Sequence, residues 1–199
     1  MCPKKRRRRK KKTSRRPLLY IALPLLLCGA ILYFFSGPSS YRGEVPSDPE
    51  AYFEALAPYG IYVGERYDVW PSVTLAQSAL ESDYGRSGLS KTYNNYFGIK
   101  ELRPNKGVSL FTQEVFDGEE TTIKDRFRTY NNVAESFADY GKMLSSMDQY
   151  HGVLEAKTYS EAAYALQAGG YATDPYYPAK IISLIETYGL DRYDKGIKP

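Results

Sequence analysis

Polar and apolar positions divide the chain into four stretches. Residues 1–16 are almost entirely polar. Pro17 to Phe35 (PLLYIALPLLLCGAILYFF) then runs for nineteen residues without a charge, and at about 1.5 Å rise per residue a helix of that length matches a ~30 Å hydrocarbon core. Residues 36–47 (SGPSSYRGEVPS) read as a linker rich in Gly, Pro and Ser. From Asp48 the pattern becomes that of a folded domain. Ser47 is placed to cap a helix over DPEAYFEALAPYG, with Pro49 in its first turn and Pro58 and Gly60 ending it. A second helix is expected from about Val69 to Ser82, where Val73, Ala76 and Leu80 follow Val69 on one face, before a break at Tyr84-Gly85. Between Val108 and Tyr130 the period shortens toward alternation around Asp117-Gly118, a hairpin signal. Helical spacing returns over 133–144, 160–167 and 178–188, the last ending at Gly189. The fold class expected is α+β: a mostly helical domain with a β-hairpin lobe, preceded by one N-terminal transmembrane helix.

Charge gives the apolar run a direction. The net charge of +4 joins two unlike parts, because residues 1–16 hold eleven Lys and Arg and no acid. The remaining 16 basic residues face all 23 acidic ones, so the chain from Pro17 onward carries −7. A folded surface of that sign repels phosphate on average, and no nucleic-acid partner is expected. Eleven positive charges directly before an apolar helix hold that end in the cytoplasm and put everything after Phe35 outside the membrane. A cleaved signal peptide is the competing reading. The run is longer than the usual 7 to 15 residues of a signal core, and no clear A-x-A site follows it. The organisation expected is therefore a basic cytoplasmic tail (1–16), a membrane anchor (17–35), a linker (36–47), an extracytoplasmic domain (48–193) and a short tail (194–199). The anchor and its basic flank are also where a membrane-protein partner would bind.

Few catalytic groups are on offer. Cys2 and Cys28 both precede the domain and His151 is the single histidine, so neither a disulfide, a Cys nucleophile nor a His/Cys zinc site is expected there, and no cofactor is implied. Without a G-x-S-x-G sequence, carboxylates and tyrosines remain. Glu81 stands out because it ends an amphipathic helix at the rim of a buried face. There desolvation raises a carboxyl pKa, which is what a general acid at a glycosidic oxygen requires. A solvated surface carboxylate at a helix end would carry the same local pattern.

The neighbouring motifs resolve that ambiguity. PSVTLAQSALESDYGRSGLS, then NNYFGIK, then AGGYATDPYYPAKI, in this order from about Pro71 to Leu190, resemble the peptidoglycan N-acetylglucosaminidases of glycoside hydrolase family 73. The resemblance implies a lysozyme-like fold, a peptidoglycan glycan strand as substrate, and Glu81 as the general acid. It also implies a second glutamate in a T-x-E stretch entering the hairpin, here Glu114 after Thr112-Gln113, among the hairpin acids Glu114, Asp117, Glu119 and Glu120. Glycoside hydrolysis commonly uses such a pair. In an alternative route the substrate's own 2-acetamido group is the nucleophile, and Tyr171 of the GYATDP sequence stabilises the reacting sugar. The family's groove-lining pair corresponds to Asn95 and Phe97, which read equally as a loop cap and a core ring. Gln77, four residues before Glu81 on one helix face, either positions substrate or satisfies buried polar groups. Tyr84, where relatives commonly carry Trp, is a candidate sugar platform. The expected activity is an endo-β-N-acetylglucosaminidase of the cell membrane. The alternatives are a glycan-binding module without turnover, and a muramidase or lytic transglycosylase on a related scaffold.

Overall fold

The computed structural model describes residues 44–103, 106–116 and 119–198, with the backbone alone over 112–116 and 119–123. The basic tail, the apolar span, the first part of the linker and the Asp117-Gly118 turn lie outside the described residues. Helix α1 runs over Pro49–Tyr67, α2 over Pro71–Ser82 and α3 over Gly88–Tyr93. Strands β1 (Val108–Phe116) and β2 (Glu119–Phe127) follow, then α4 (Val133–Ser146), the short α5 (His151–Glu155), α6 (Tyr159–Ala168) and α7 (Tyr177–Tyr188). Single 3₁₀ turns sit at Asp148–Tyr150 and Leu190–Tyr193. Among the described residues no helix is long and apolar enough to cross a membrane.

Two features of α1 differ from the sequence expectation. Its N-cap is Asp48, whose side chain accepts from the Ala51 N–H at 3.0 Å, and not Ser47. The helix also passes through Pro58 and Gly60 to Tyr67. A proline costs a mid-helix hydrogen bond, but here the helix has a reason to continue. Gly60 and Gly64, one turn apart, let it approach α2 closely: a Cβ on Gly60 would lie 2.8 Å from Leu75 Cγ, and one on Gly64 2.8 Å from Pro71 Cγ. Packing of the whole length outweighs the local break.

Helix α2 is the centre of the core. Of its twelve residues all but Leu80 and Glu81 are buried. The sequence marks Val73, Ala76 and Leu80 as the buried face; Val73 and Ala76 are fully buried, Leu80 is half-buried against the core, and the serines are buried as well. Small hydroxyl side chains can go inside because they bond back to their own helix: Thr74 Oγ1 to the Trp70 carbonyl at 3.1 Å, Ser78 Oγ to Leu75 at 2.8 Å, and Ser82 Oγ to Ser78 at 2.5 Å. The fully buried Tyr52 of α1 adds its hydroxyl, 3.1 Å from Ser78 Oγ and 3.3 Å from Ser82 Oγ. At the other end no side chain of the N-cap residue Trp70 serves α2. Asp194 does so from far along the chain, accepting from the Ser72 N–H at 2.8 Å. The segment expected to be a free tail is thus tied back, and Lys198 pairs with Asp68 at 2.6 Å beside the Trp70 ring.

The hairpin is antiparallel, with Val108 opposite Phe127 and Phe116 opposite Glu119, in the position the Asp-Gly pair predicts. Its base is sewn to residues 99–101. Glu101 N–H donates to the Arg126 carbonyl at 2.8 Å, Arg128 N–H to Ile99 at 2.9 Å, and Lys100 pairs with Asp125 at 2.6 Å.

Gly60→Ala tests the role of close approach. The substitution favours an isolated helix by about 1 kcal/mol, yet the contact with the buried Leu75 should make the protein less stable by about 1–3 kcal/mol, read as a lower midpoint in urea unfolding.

Candidate active site

Glu81 occupies the last turn of α2, directly before a backbone reversal. Asp83, Tyr84 and Gly85 all have positive φ, at 51°, 51° and 74°. Two of these are not glycine, and a left-handed conformation costs such residues about 1 kcal/mol or more each. The turn is held by Tyr84 N–H to the Ala79 carbonyl at 2.9 Å, Ser87 N–H to Ser82 at 2.8 Å, and Gly85 N–H to Ser82 Oγ at 2.8 Å. Its effect is to take the chain away at once, leaving the Glu81 side chain at the edge of the core.

The carboxyl sits in a web of tyrosines. Its Oε1 accepts from the Tyr177 hydroxyl at 2.7 Å. Tyr177, buried at the start of α7, in turn accepts from Gln77 Nε2 at 2.8 Å. Gln77 Oε1 accepts from the hydroxyl of Tyr140 on α4. Burial raises the Glu81 pKa above the ordinary carboxyl value, and the Tyr177 hydrogen bond opposes that shift in part. Burial likewise lifts Tyr140, Tyr171 and Tyr177 well above a free phenol, with the nearby Glu81 charge adding to each. All three therefore keep their protons at neutral pH. The other carboxyl oxygen, Oε2, faces Gly98: among the described residues beyond that glycine's chain neighbours, a Cβ built there would meet Oε2 at 3.9 Å and no other heavy atom within 4 Å, so among those residues this side of the carboxyl is open.

The sequence-predicted residues fall into distinct roles. Tyr171 reaches the site, its ring stacked 6.0 Å from Tyr177 and its hydroxyl donating to the Phe97 carbonyl at 3.0 Å. Gln77 is fully buried, so it does not present itself to a sugar; its amide is spent on the two tyrosines. Asn95, 1% exposed, is a loop clamp and not a groove amide. Its Nδ2 donates to the Ile99 and Arg128 carbonyls at 3.0 Å each, and its Oδ1 accepts from the Ile99 N–H at 3.1 Å and the Phe97 N–H at 3.3 Å. Phe97 is a core ring, stacked on Tyr140 at 4.0 Å, and offers the site only its backbone carbonyl. Tyr84 is half-buried, edge-on to Tyr52 and Phe53, and lines a cleft of about 450 Å³ with Leu80, Tyr176 and Lys180. Glu114 lies in β1 opposite Thr121, and its side chain is outside the described residues. Tyr177, Tyr140 and Gly98 carry no role in the sequence reading, although Tyr177 and Gly98 stand inside the quoted motifs. The sign available for Tyr177 is its place at the first helical position beside Pro178, which aims it back toward α2. Among the described residues no group of three His, Cys, Asp or Glu side chains could hold a metal ion.

Residues 57–190 match the family model described as glucosaminidase, mannosyl-glycoprotein endo-beta-N-acetylglucosaminidase. The exo-glucosaminidase LytG of Bacillus subtilis is 39% identical over 161 residues, 78% of this chain and 57% of that protein. A probable N-acetylmuramidase of Lactococcus lactis is 36% identical over 152 residues, 73% of this chain and 35% of that protein. The chain thus spans well under two thirds of either relative. The catalytic domain of the autolysin Auto from Listeria monocytogenes superposes with a TM-score of 0.65 at 31% identity, covering 90% of this chain and all of that domain.

The raised Glu81 pKa makes a stability prediction. A carboxyl whose pKa is higher folded than unfolded favours the folded state less and less as pH rises from the unfolded value, about 4.3, through the folded one. Glu81→Gln should therefore stabilise the protein by about 1 kcal/mol at pH 7 and leave it unchanged near pH 4, measured as unfolding midpoints at the two pH values.

Proposed function

The chain belongs to the glucosaminidase family of glycoside hydrolases, and on that premise we propose that it hydrolyses the GlcNAc-β-1,4-MurNAc bond of peptidoglycan as an endo-acting enzyme. The observation that carries the reading is the Glu81 carboxyl, its pKa raised by burial and its Oε2 turned toward Gly98. A carboxyl shifted in that direction is suited to protonate the leaving glycosidic oxygen, a contribution of about 10²–10⁴ in rate. The relatives' names support the polymer, since glucosaminidase and muramidase describe the two alternating linkages of one GlcNAc–MurNAc strand. They leave two bonds in play, and the Gly-Tyr-Ala-Thr-Asp-Pro motif with Tyr171 beside the acid favours the glucosaminidase side of that choice through its resemblance to family 73.

The second half of the reaction needs a group across the sugar from Glu81. Glu114 fits the role by its place on β1, on a hairpin whose base is fastened to the loop that faces the acid. Activating water from there would invert the anomeric centre. If the acetamido group attacks instead, Tyr171 is the neighbour able to steady it, and the hairpin acid is dispensable.

The anchor gives the enzyme its place. With residues 17–35 crossing the membrane and the basic tail inside, the domain works on glycan close to the outer membrane face, where newly made strands emerge. An epitope at the C-terminus should be reached by an impermeant reagent on intact cells; protection of that epitope would overturn this orientation.

Digestion of purified peptidoglycan, followed by borohydride reduction and mass spectrometry, tests the chemistry. The parent should create reduced GlcNAc ends on oligosaccharides of mixed length, and Glu81→Gln should lose about 10³-fold or more of that activity. New MurNAc or anhydro-MurNAc ends would overturn the bond assignment, and release of single terminal units alone the endo mode. Glu114→Gln should fall comparably if water is activated by the hairpin acid, and should keep most activity if the acetamido route operates.

A further inference from the structure

The hydrogen bonds behind Glu81 have a direction, which the reaction assigned above does not by itself explain. Each link is fixed by what its partners can donate. Tyr140 is fully buried and holds its proton, which it gives to Gln77 Oε1. That sets the amide the other way round toward α7, so Gln77 can only donate to the Tyr177 oxygen, at 2.8 Å. With an N–H arriving at its oxygen, Tyr177 turns its single proton to Glu81 Oε1, at 2.7 Å. An amide nitrogen has no lone pair to accept a hydroxyl proton. If Tyr177 instead accepted from Glu81, its own proton would lose the Oε1 partner and could not be given to Gln77 unless the glutamine reversed.

We propose that Tyr140, Gln77 and Tyr177 act as a one-way chain of positioning residues that keeps Glu81 Oε1 an acceptor at all times and confines the transferable proton to Oε2, the oxygen facing the open side at Gly98. The proposal rests on the reading of Glu81 as the general acid and adds which of its oxygens delivers the proton. None of the three residues need touch the sugar. Gln77 and Tyr140 have no exposed surface, and Tyr177, 4% exposed, spends its hydroxyl on the relay. Gly98 completes the device from the other side. It adopts φ +64°, where a side chain is disfavoured, and among the described residues beyond its chain neighbours only Oε2 lies within 4 Å of the position a Cβ would take. Oε1 is thus closed off by the Tyr177 hydroxyl, and Oε2 is the oxygen left for a glycosidic oxygen to approach.

The direction of the chain has a measurable sign. A hydroxyl donating to Oε1 stabilises the carboxylate more than the acid, so removing it must raise the Glu81 pKa further. A chain running the opposite way, with Glu81 donating to Tyr177, would stabilise the acid, and removing it must lower that pKa. The experiment is ¹³Cδ-glutamate NMR titration of the full chain in detergent, with the Glu81 signal identified by its absence in Glu81→Gln, beside the pH profile of kcat/KM on peptidoglycan. Tyr177→Phe should shift the Glu81 titration upward by about one unit or more. It should move the alkaline limb of activity the same way and lower kcat about tenfold, with KM changed less than twofold. Gln77→Met, which leaves Tyr177 in place but takes away the N–H that orients it, should shift the titration upward by less. The double variant should match Tyr177→Phe alone, because both act through one bond. A downward shift or none in Tyr177→Phe overturns the proposal, and so does a Gln77→Met shift that adds to that of Tyr177→Phe. Because the titration is read without substrate, it decides the chain's direction even if the parent fails to cleave peptidoglycan, a result that would count against the functional reading alone.

Discussion

The burial of α2 on nearly every side is the constraint from which the rest of the domain follows. A surface helix needs one apolar stripe, but a helix surrounded by protein must be apolar or self-satisfied all the way round. Here small side chains do this, with hydroxyls folded onto the helix's own carbonyls and glycines on α1 admitting a close neighbour. Because the helix has no freedom to tilt or rotate, whatever stands at its last turn is fixed as well. Glu81 inherits its position from the ten buried residues of its helix.

The loop from Asn95 to Glu101 is the second organising piece, since it faces the acid and also carries the hairpin base. Asn95 uses all of its hydrogen-bonding groups in view to close the loop, which brings the Phe97 carbonyl to Tyr171 and Gly98 to Oε2. The next residues pair with β2. The hairpin base is therefore joined to the floor of the site by a few rungs of backbone hydrogen bonds, by the Lys100–Asp125 ion pair and by the Asn95 bond to the Arg128 carbonyl.

Periodicity makes the larger elements legible. The hairpin, α4, α6 and α7 stand close to where spacing and turn chemistry put them, because their signals are local. Helix α1 runs beyond Pro58 and Gly60 because Gly60 and Gly64 serve a close contact with the neighbouring helix α2, a tertiary effect that no local rule reports. The burial of the α2 serines is not legible from apolar spacing either, because hydropathy takes no account of the bond a hydroxyl makes to its own helix backbone. At the site, motif resemblance singled out Glu81 and Tyr171, which the structure brings to one place. For Asn95, Phe97 and Gln77 the sequence left a groove role and a buried role side by side, and the structure buries all three, since a motif records that a residue matters and not whether it touches ligand or holds what does. Tyr177 and Tyr140 were hidden among twenty tyrosines, since their value lies in meeting one glutamine from two other helices.

The place of the acid on its helix has a further electrostatic consequence. Aligned peptide dipoles leave the C-terminal end of a helix with roughly half a negative elementary charge. The left-handed run after Ser82 stops α2 within two residues of Glu81, so the carboxyl stands in the negative end of that field. A carboxylate at the opposite end of the same helix would be favoured, while here each aligned peptide group opposes the loss of the proton. The backbone of α2 thus works with desolvation to favour the proton-bound form of the Glu81 carboxyl, by a contribution that no side-chain substitution can remove.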